Sequence, residues 1–261
     1  MEVYTVEKRF EGKAVVVTGG GTGIGRAAAC AFAREGARVM ISGINGTELH
    51  ETREMIEKEG GVCTSVVADI RKPEQVNMLL DKAVERYSKL EVLFANAGGN
   101  VPAPITETTN DDIDRLVDTN VKGTYYSLRK ATEIMKKQGF GTIVVMSSMS
   151  GLIGHPGNTL YCATKGAISN MVRALALELA PLGIRVNAVC PGTIDTPMFE
   201  MLITSTGNPE KAREIYAEKE PMKRIASPAE VATVVLFLAS EEASFVTGAQ
   251  YTVDGGFTAG L

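Results

Sequence analysis

The sequence predicts an α/β protein: a doubly wound, mainly parallel sheet of seven strands with helices on both faces. Three observations carry that prediction. Seven short apolar, β-branched runs alternate with longer helical patterns along the 261 residues. A glycine-rich turn joins the first run to the first helix. No repeat, low-complexity tract or linker divides the chain, so residues 1–261 read as one domain.

The elements follow in order. "KAVVVTG" (13–19) is a buried strand, and "GIGRAAACAFAREG" a helix ended by Gly36. "ARVMISG" (37–43) is the second strand, followed by the helix "TELHETREMIEKEG". Next come the strand "CTSVVAD" (63–69), the helix "PEQVNMLLDKAVERY" and the strand "LEVLFANAG" (90–98). A long helix is expected over 111–138, then the strand "GTIVVMSS" (141–148), a helix from about 158 to 181, and the strand "IRVNAVCPG" (184–192). A polar, Met-containing segment leads to "SPAEVATVVLFLAS", a helix opened by Ser227 and Pro228, and "AQYTVDGG" is the last strand.

Composition narrows the function. Hydrophobic residues at 44% supply a sizeable core. A net charge of −4 argues against nucleic acid, whose phosphates need a basic surface. The four cysteines are scattered and form no CxxC pair, so reduced thiols and no structural metal site are expected. The opening "MEVYTVEKRFEGK" lacks the apolar centre of a signal peptide, and no run reaches the roughly 20 apolar residues of a membrane helix. A cytoplasmic protein is the expectation.

"TGGGTGIG" (18–25) sits between the first strand and helix. Glycine there permits a tight turn and lets backbone N–H groups approach a pyrophosphate at the helix N-terminus. Its spacing is G-x-x-x-G-x-G, which a tight connection alone can also produce. Dinucleotide folds commonly end the second strand with an acid on the adenosine ribose. Here that end is Ser42, Gly43, Ile44, Asn45, with neither an acid to repel a 2′-phosphate nor a base to hold one. A buried phosphate without a basic partner is costly, so the expectation leans to NAD over NADP. Asp69 either meets the adenine edge or caps the next helix.

Tyr161 and Lys165 are four residues apart on a predicted helix and share a face. An ammonium about 5 Å from the phenol, at an effective ε of about 20, is expected to lower its pKa by about two units. Such a tyrosine can take a proton from an alcohol while hydride leaves its carbon. Taken alone, the pair also fits an ordinary helix surface. Ser148 ends one strand, Asn96 to Gly99 end another and "NAVCPG" a third, all on the ligand edge of a parallel sheet.

"TGGGTGIG", "NAG" at 96–98, Asn120 in "DTNVKG", Ser148 in "VVMSS", "YCATK", "PGTIDTPM" and "FVTGAQYTVDGG" resemble, in order and spacing, the short-chain dehydrogenase/reductase family. The resemblance spans essentially the whole chain and implies a Rossmann fold with a Ser–Tyr–Lys–Asn active site. It implies Tyr161 as acid/base, Ser148 on the substrate oxygen, Lys165 on the phenol and the nicotinamide ribose, and Asn120 holding a water in the proton path. The implied cofactor wall is Gly19, Thr22, Gly23, Ile24 and Gly25; Ser42, Gly43 and Asn45; Asp69 and Ile70; Asn96, Ala97 and Gly98; Pro191, Gly192, Ile194 and Thr196. Two departures stand out. Ala95 replaces the first Asn of the "NNAG" many members carry, and the cofactor-selecting charge at 43 or 44 is missing.

Residues 193–225 are the expected substrate lid, with Met198, Phe199 and Leu202 against an apolar substrate; packing against the body is the alternative. Gly99 and Ser148 are further substrate candidates. His155 and Asn158 are either polar substrate contacts or a solvated turn. Apolar residues beyond one stripe, among them Leu116, Val117, Val121, Tyr125, Tyr126, Leu128, Ile168, Met171, Val172, Leu175 and Leu177, suggest a subunit interface, and the family commonly forms tetramers this way. The expected activity is NAD(P)-dependent interconversion of a secondary alcohol and a ketone on a hydroxysteroid or 3-hydroxyacyl type of substrate. An enoyl- or dienoyl-thioester reductase and a non-catalytic dinucleotide-binding protein are the alternatives.

Overall fold

The structure is a computed structural model describing residues 8–260; residues 1–7 of the stretch read above for a leader lie outside the described residues. Strands β1 (Ala14–Thr18), β2 (Arg38–Gly43), β3 (Val62–Val67), β4 (Val92–Ala95), β5 (Gly141–Met146), β6 (Ile184–Pro191) and β7 (Gln250–Val253) form one sheet in the order β3-β2-β1-β4-β5-β6-β7. Every neighbouring pair is parallel. The helices are α1 (Gly23–Arg34), α2 (Gly46–Lys58), α3 (Pro73–Tyr87), α4 (Asn110–Leu116), α5 (Thr124–Gln138), α6 (Thr159–Leu179), α7 (Pro197–Thr204), α8 (Pro209–Lys219) and α9 (Pro228–Ala239).

Alternation along each strand divides the interior into two cores. Val15, Val17, Ile41, Phe94 and Val144 point to one face, where Phe32 of α1, Leu49 and Ile56 of α2 and Val235 of α9 cover them. Val16, Met40, Leu93, Ile143 and Val186 point to the other, under Leu79 of α3, Leu128 and Met135 of α5, and Ile168 and Val172 of α6. Strands β1, β4, β5 and β6 are buried on both faces, which is why they read as continuous apolar runs, whereas the edge strands β3 and β7 are partly exposed.

The differences from the sequence reading are local and have physical causes. The fourth strand stops at Ala95 because Asn96 and Ala97 turn their N–H groups to the Thr18 hydroxyl, at 3.0 and 3.1 Å. The long helix is interrupted by a π-helical stretch, Val117–Gly123. The segment 193–225 is not irregular: Thr196 and Asn208 cap α7 and α8, each ahead of a proline at the first helical position. Those Thr-Pro and Asn-Pro pairs were the missed signals.

The count of excess apolar residues also needs correcting. Leu116, Leu128, Ile168 and Val172 belong to the buried interior. Ile113, Tyr125 and Leu177 are exposed, with Val117, Val121, Met171 and Leu175 half-buried. Among the described residues, no helix is long and apolar enough to cross a membrane.

Candidate active site

The sheet reverses direction of growth between β1 and β4, so the connections leaving these strands part and open a cleft at their carboxyl ends. The cleft holds about 1260 Å³ and runs from the glycine turn to α7.

At its floor, Gly19 and Gly23 have φ of +66° and +53°, which glycine alone adopts at little cost. A Cβ on Gly25 would overlap the Gly19 carbonyl oxygen, and one on Gly19 would lie 2.9 Å from Ala97 Cα. Asn96 locks this turn by donating to the Thr18 and Gly19 carbonyls at 3.0 and 3.1 Å. Thr22 precedes α1 without a capping side-chain bond, leaving the first N–H groups of that helix unengaged by its own cap. A turn stripped of side chains beneath uncapped helix donors fits a dinucleotide pyrophosphate. Gly19, Thr22, Gly23, Ile24 and Gly25 all line the cleft, as do Asn96, Ala97 and Gly98.

Farther along, Gly43, Asn45, Asp69 and Ile70 line the cleft as expected, but Ser42 does not: its side chain is fully buried, its hydroxyl without a partner. Alternation turns this residue into the core while Gly43 faces the opening. The Asn45 side-chain oxygen is committed to capping α2, accepting from Thr47 and Glu48 N–H groups. Asp69 does not cap α3, whose N-cap is Lys72; instead it receives Arg71 on both oxygens, and the guanidinium holds its carboxyl below the usual range. Glu48 and Arg71 line this end too and were absent from the sequence reading.

The chemistry-bearing side chains meet at the middle. Ser148 follows β5 and accepts from the Ser150 N–H at 3.1 Å. Tyr161 and Lys165 sit one turn apart on α6, with the Lys165 ammonium 5.7 Å from the tyrosine ring centre and donating to the Met146 carbonyl at 2.9 Å. Burial raises the Tyr161 phenol to about 12, with the nearby Ser148 hydroxyl pulling the other way. Burial also lowers the Lys165 ammonium to about 8. The shift runs opposite to the expected depression of the tyrosine, with desolvation of the phenolate as its leading cause.

Asn120 is fully buried and does not line the cleft. Its amide donates to the Gly99 carbonyl at 2.9 Å and to Thr164 at 3.1 Å, and its oxygen accepts from the Gly99 N–H at 2.8 Å. The side chain thus ties the π-helical stretch to the β4 loop and to α6, and its bonds are taken up in doing so. Gly98 separates it from Lys165, since a Cβ there would lie 3.1 Å from the Asn120 oxygen and 3.6 Å from the ammonium.

Pro191, Gly192, Ile194 and Thr196 form the wall beyond Lys165; Gly99, His155, Asn158, Met198, Phe199 and Leu202 line the far end. His155 is no solvated turn residue: it is half-buried and stacks on Phe257 at 5.7 Å, and burial, then Lys219, lowers its pKa. Sequence reasoning missed Met149, Ile153, Tyr216, Phe257 and Glu220 in this lining. Glu220 is buried, and desolvation raises its carboxyl while the neighbouring Thr193 opposes that shift. Phe257 carried no signal, because only tertiary folding brings the chain's end over the cleft.

A family model described as enoyl-(acyl carrier protein) reductase matches residues 19–258. The chain is 39% identical over 248 residues to a 3-oxoacyl-[acyl-carrier-protein] reductase of Thermotoga maritima, covering 95% of this chain and 98% of that one. It is 38% identical over 251 residues to a cyclopentanol dehydrogenase of Comamonas sp., covering 96% and 99%. Among solved structures, a levodione reductase superposes with a TM-score of 0.94 at 33% identity, over 97% of this chain and all of that one. A short-chain type dehydrogenase/reductase from Mycobacterium marinum gives 0.90 at 32% identity, over 97% and 98%. With the parallel seven-stranded sheet and the cleft at its reversal, these matches show that the chain belongs to the short-chain dehydrogenase/reductase family and is an NAD(P)-dependent oxidoreductase acting on CH–OH groups.

Proposed function

We propose that this enzyme interconverts a secondary alcohol and its ketone on a largely apolar substrate, with Tyr161 moving the proton. The observation that carries the reading is that Ser148, Tyr161 and Lys165 line the same cleft as the glycine turn, with the Lys165 ammonium 5.7 Å from the Tyr161 ring centre. A bound nicotinamide supplies or takes the hydride. Gly19, Gly23 and Gly25 with the start of α1 would hold its pyrophosphate, Gly43 and Asn45 its adenosine ribose, and Pro191, Gly192, Ile194 and Thr196 its nicotinamide end.

Ser148 donates to the substrate carbonyl oxygen and polarises it, and the Tyr161 hydroxyl delivers the proton to that oxygen. A phenol near 12 is protonated at neutral pH and can deliver its proton to a ketone oxygen. Alcohol oxidation needs the phenolate, which a cationic nicotinamide beside the ring favours. The Lys165 ammonium, titrating near 8, is mostly charged at neutral pH and faces the same ring. Asn120 acts by holding Gly99 and α6 in place.

Residues 193–225 act as the lid of one catalytic unit spanning residues 1–261. Met198, Phe199 and Leu202, with Met149 and Ile153, give the substrate end an apolar wall suited to a hydroxysteroid or 3-hydroxyacyl group. The relative named for a 3-oxoacyl carrier-protein substrate fits the second of these, and the one named for cyclopentanol fits the broader class of apolar secondary alcohols. Ile113, Val117, Val121 and Tyr125, spaced by four along one side of the α4–α5 helix, support pairing of this helix with a second copy in a homotetramer. Light scattering on the eluting protein reads the subunit number.

The direct test is reduction of steroid, acyl-thioester and small aliphatic ketones, with oxidation of the matching alcohols, using wild type and Tyr161→Phe. Turnover in the wild type that Tyr161→Phe loses by about 10²-fold or more, with dinucleotide affinity kept, is the expected result. Undiminished turnover in Tyr161→Phe overturns it.

A further inference from the structure

The second strand ends without a charge where the adenosine ribose would lie, yet a charge reaches that place from the next helix. Glu48, in the first turn of α2, lines the cleft alongside Gly21, Gly43, Ile44 and Asn45. A Cβ on Gly21 would lie 3.0 Å from Glu48 Cβ and 3.5 Å from its Oε2, so the carboxylate leans on the glycine turn. It lies about 20 residues beyond the last motif glycine, the separation at which ribose-binding acids occur.

The other charges nearby are already paired. Arg71 is spent on Asp69, at 2.6 Å. Arg26 donates to the carbonyls of Gly21 and Glu48 and pairs with Glu51 at 2.9 Å. Glu48 makes no ion pair among the described residues, which leaves one uncompensated negative charge at this end of the cleft. Asn45, the other polar side chain here, has its oxygen committed to the helix cap.

We infer that Glu48 selects the cofactor: its carboxylate accepts hydrogen bonds from the adenosine ribose hydroxyls and repels a 2′-phosphate, so the cleft takes NAD in preference to NADP. This rests on the proposed reading of the cleft as a dinucleotide site. A 2′-phosphate would bring about two negative charges beside Glu48, and the Arg26 and Arg71 guanidiniums would have to abandon Glu51 and Asp69 to meet it. The acid has moved from the strand end to the helix, and α2's own cap holds it there.

The test is fluorescence titration of NADH and NADPH with wild type, Glu48→Gln and Glu51→Gln. The wild type is expected to bind NADH at least about tenfold more tightly, a modest figure for a like-charge contact. Glu48→Gln should tighten NADPH about tenfold and leave NADH within a few-fold, whereas Glu51→Gln should leave the ratio as it was. Raising the salt should narrow the wild-type ratio and barely move that of Glu48→Gln. A ratio that Glu48→Gln leaves unchanged overturns the assignment of Glu48 while the dinucleotide reading stands. Failure of the wild type to bind either nucleotide overturns that reading, and Glu48 with it.

Discussion

The Lys165 ammonium donates to the Met146 carbonyl at 2.9 Å, so the charge that faces Tyr161 is anchored to the last residue of β5. One backbone bond does not repay the dehydration of a buried ammonium, and its affinity for the proton falls to about 8.

Stability should therefore depend on pH through this residue. The unfolded lysine titrates at 10.5 and the folded one near 8, so between these values the unfolded chain binds more protons and stability rises with pH. The rise should reach about 2 kcal/mol by pH 10. From about 9 upward the buried Cys63 and Cys190 thiols, raised from 9 to about 12 and about 11, oppose the rise, and above 10 so does the Tyr161 phenol, raised from 10 to about 12, because there the folded chain holds the extra protons. Urea unfolding at intervals from pH 7 to 10 should show the rise as the difference between wild type and Lys165→Met, in which the contributions of the two thiols cancel.

The phenol offers a second, optical reading. A difference spectrum between wild type and Tyr161→Phe should show no phenolate between pH 9 and 11. Adding the oxidised dinucleotide should bring phenolate absorbance into that window, because a positive ring beside the hydroxyl favours the anion. Phenolate near pH 10 without the dinucleotide would contradict the burial argument.

Asn120→Ala should lower stability by about 2–4 kcal/mol, since it strips the Gly99 N–H and carbonyl and the Thr164 hydroxyl of their buried partner. Denaturant midpoints measure it. Asn120→Asp should lose part of this, because it keeps the acceptor for the Gly99 N–H and loses both donated bonds.

Arg213 joins the two helices of segment 193–225: it pairs with Glu200 and, at 3.1 Å, with Asp195, and its guanidinium lies 5.4 Å from the Phe199 ring centre. The side chain is partly exposed, and such pairs contribute about 0–1 kcal/mol. Arg213→Ala should thus barely change Tm while KM for the carbonyl substrate rises several-fold, as measured in steady-state kinetics.

The fold was legible because the central strands are buried on both faces and the helices that cover them on one, so period and composition carried the pattern; Ser227 and Pro228 even marked the start of α9. Ser148, Tyr161 and Lys165 were legible because strand ends of a parallel sheet share an edge. What stayed hidden depends on distance across the chain. Ser42 looked like a lining residue until the strand's alternation turned it inward. Glu48 looked like an ordinary first-turn acid, since its contact with Gly21 spans the β2 crossover. Charge proximity suggested a lowered phenol pKa, while the opposing cost of burial is a property of the packed site that no spacing reports.

The π-helical stretch at Val117–Gly123 sets the gearing of the longest helical path in the molecule. Leu116, Asn120, Thr124 and Leu128 are all buried, at steps of four. In a regular α-helix each such step overshoots a full turn by about 40°, and three steps would carry Leu128 a third of the way round. The wider turns absorb that drift, so one straight seam delivers an amide to Gly99 and, two turns on, a leucine to the core. Deleting a single residue from this stretch would strip the gear: α5 would rotate against the sheet, and its outward tyrosine would turn with it.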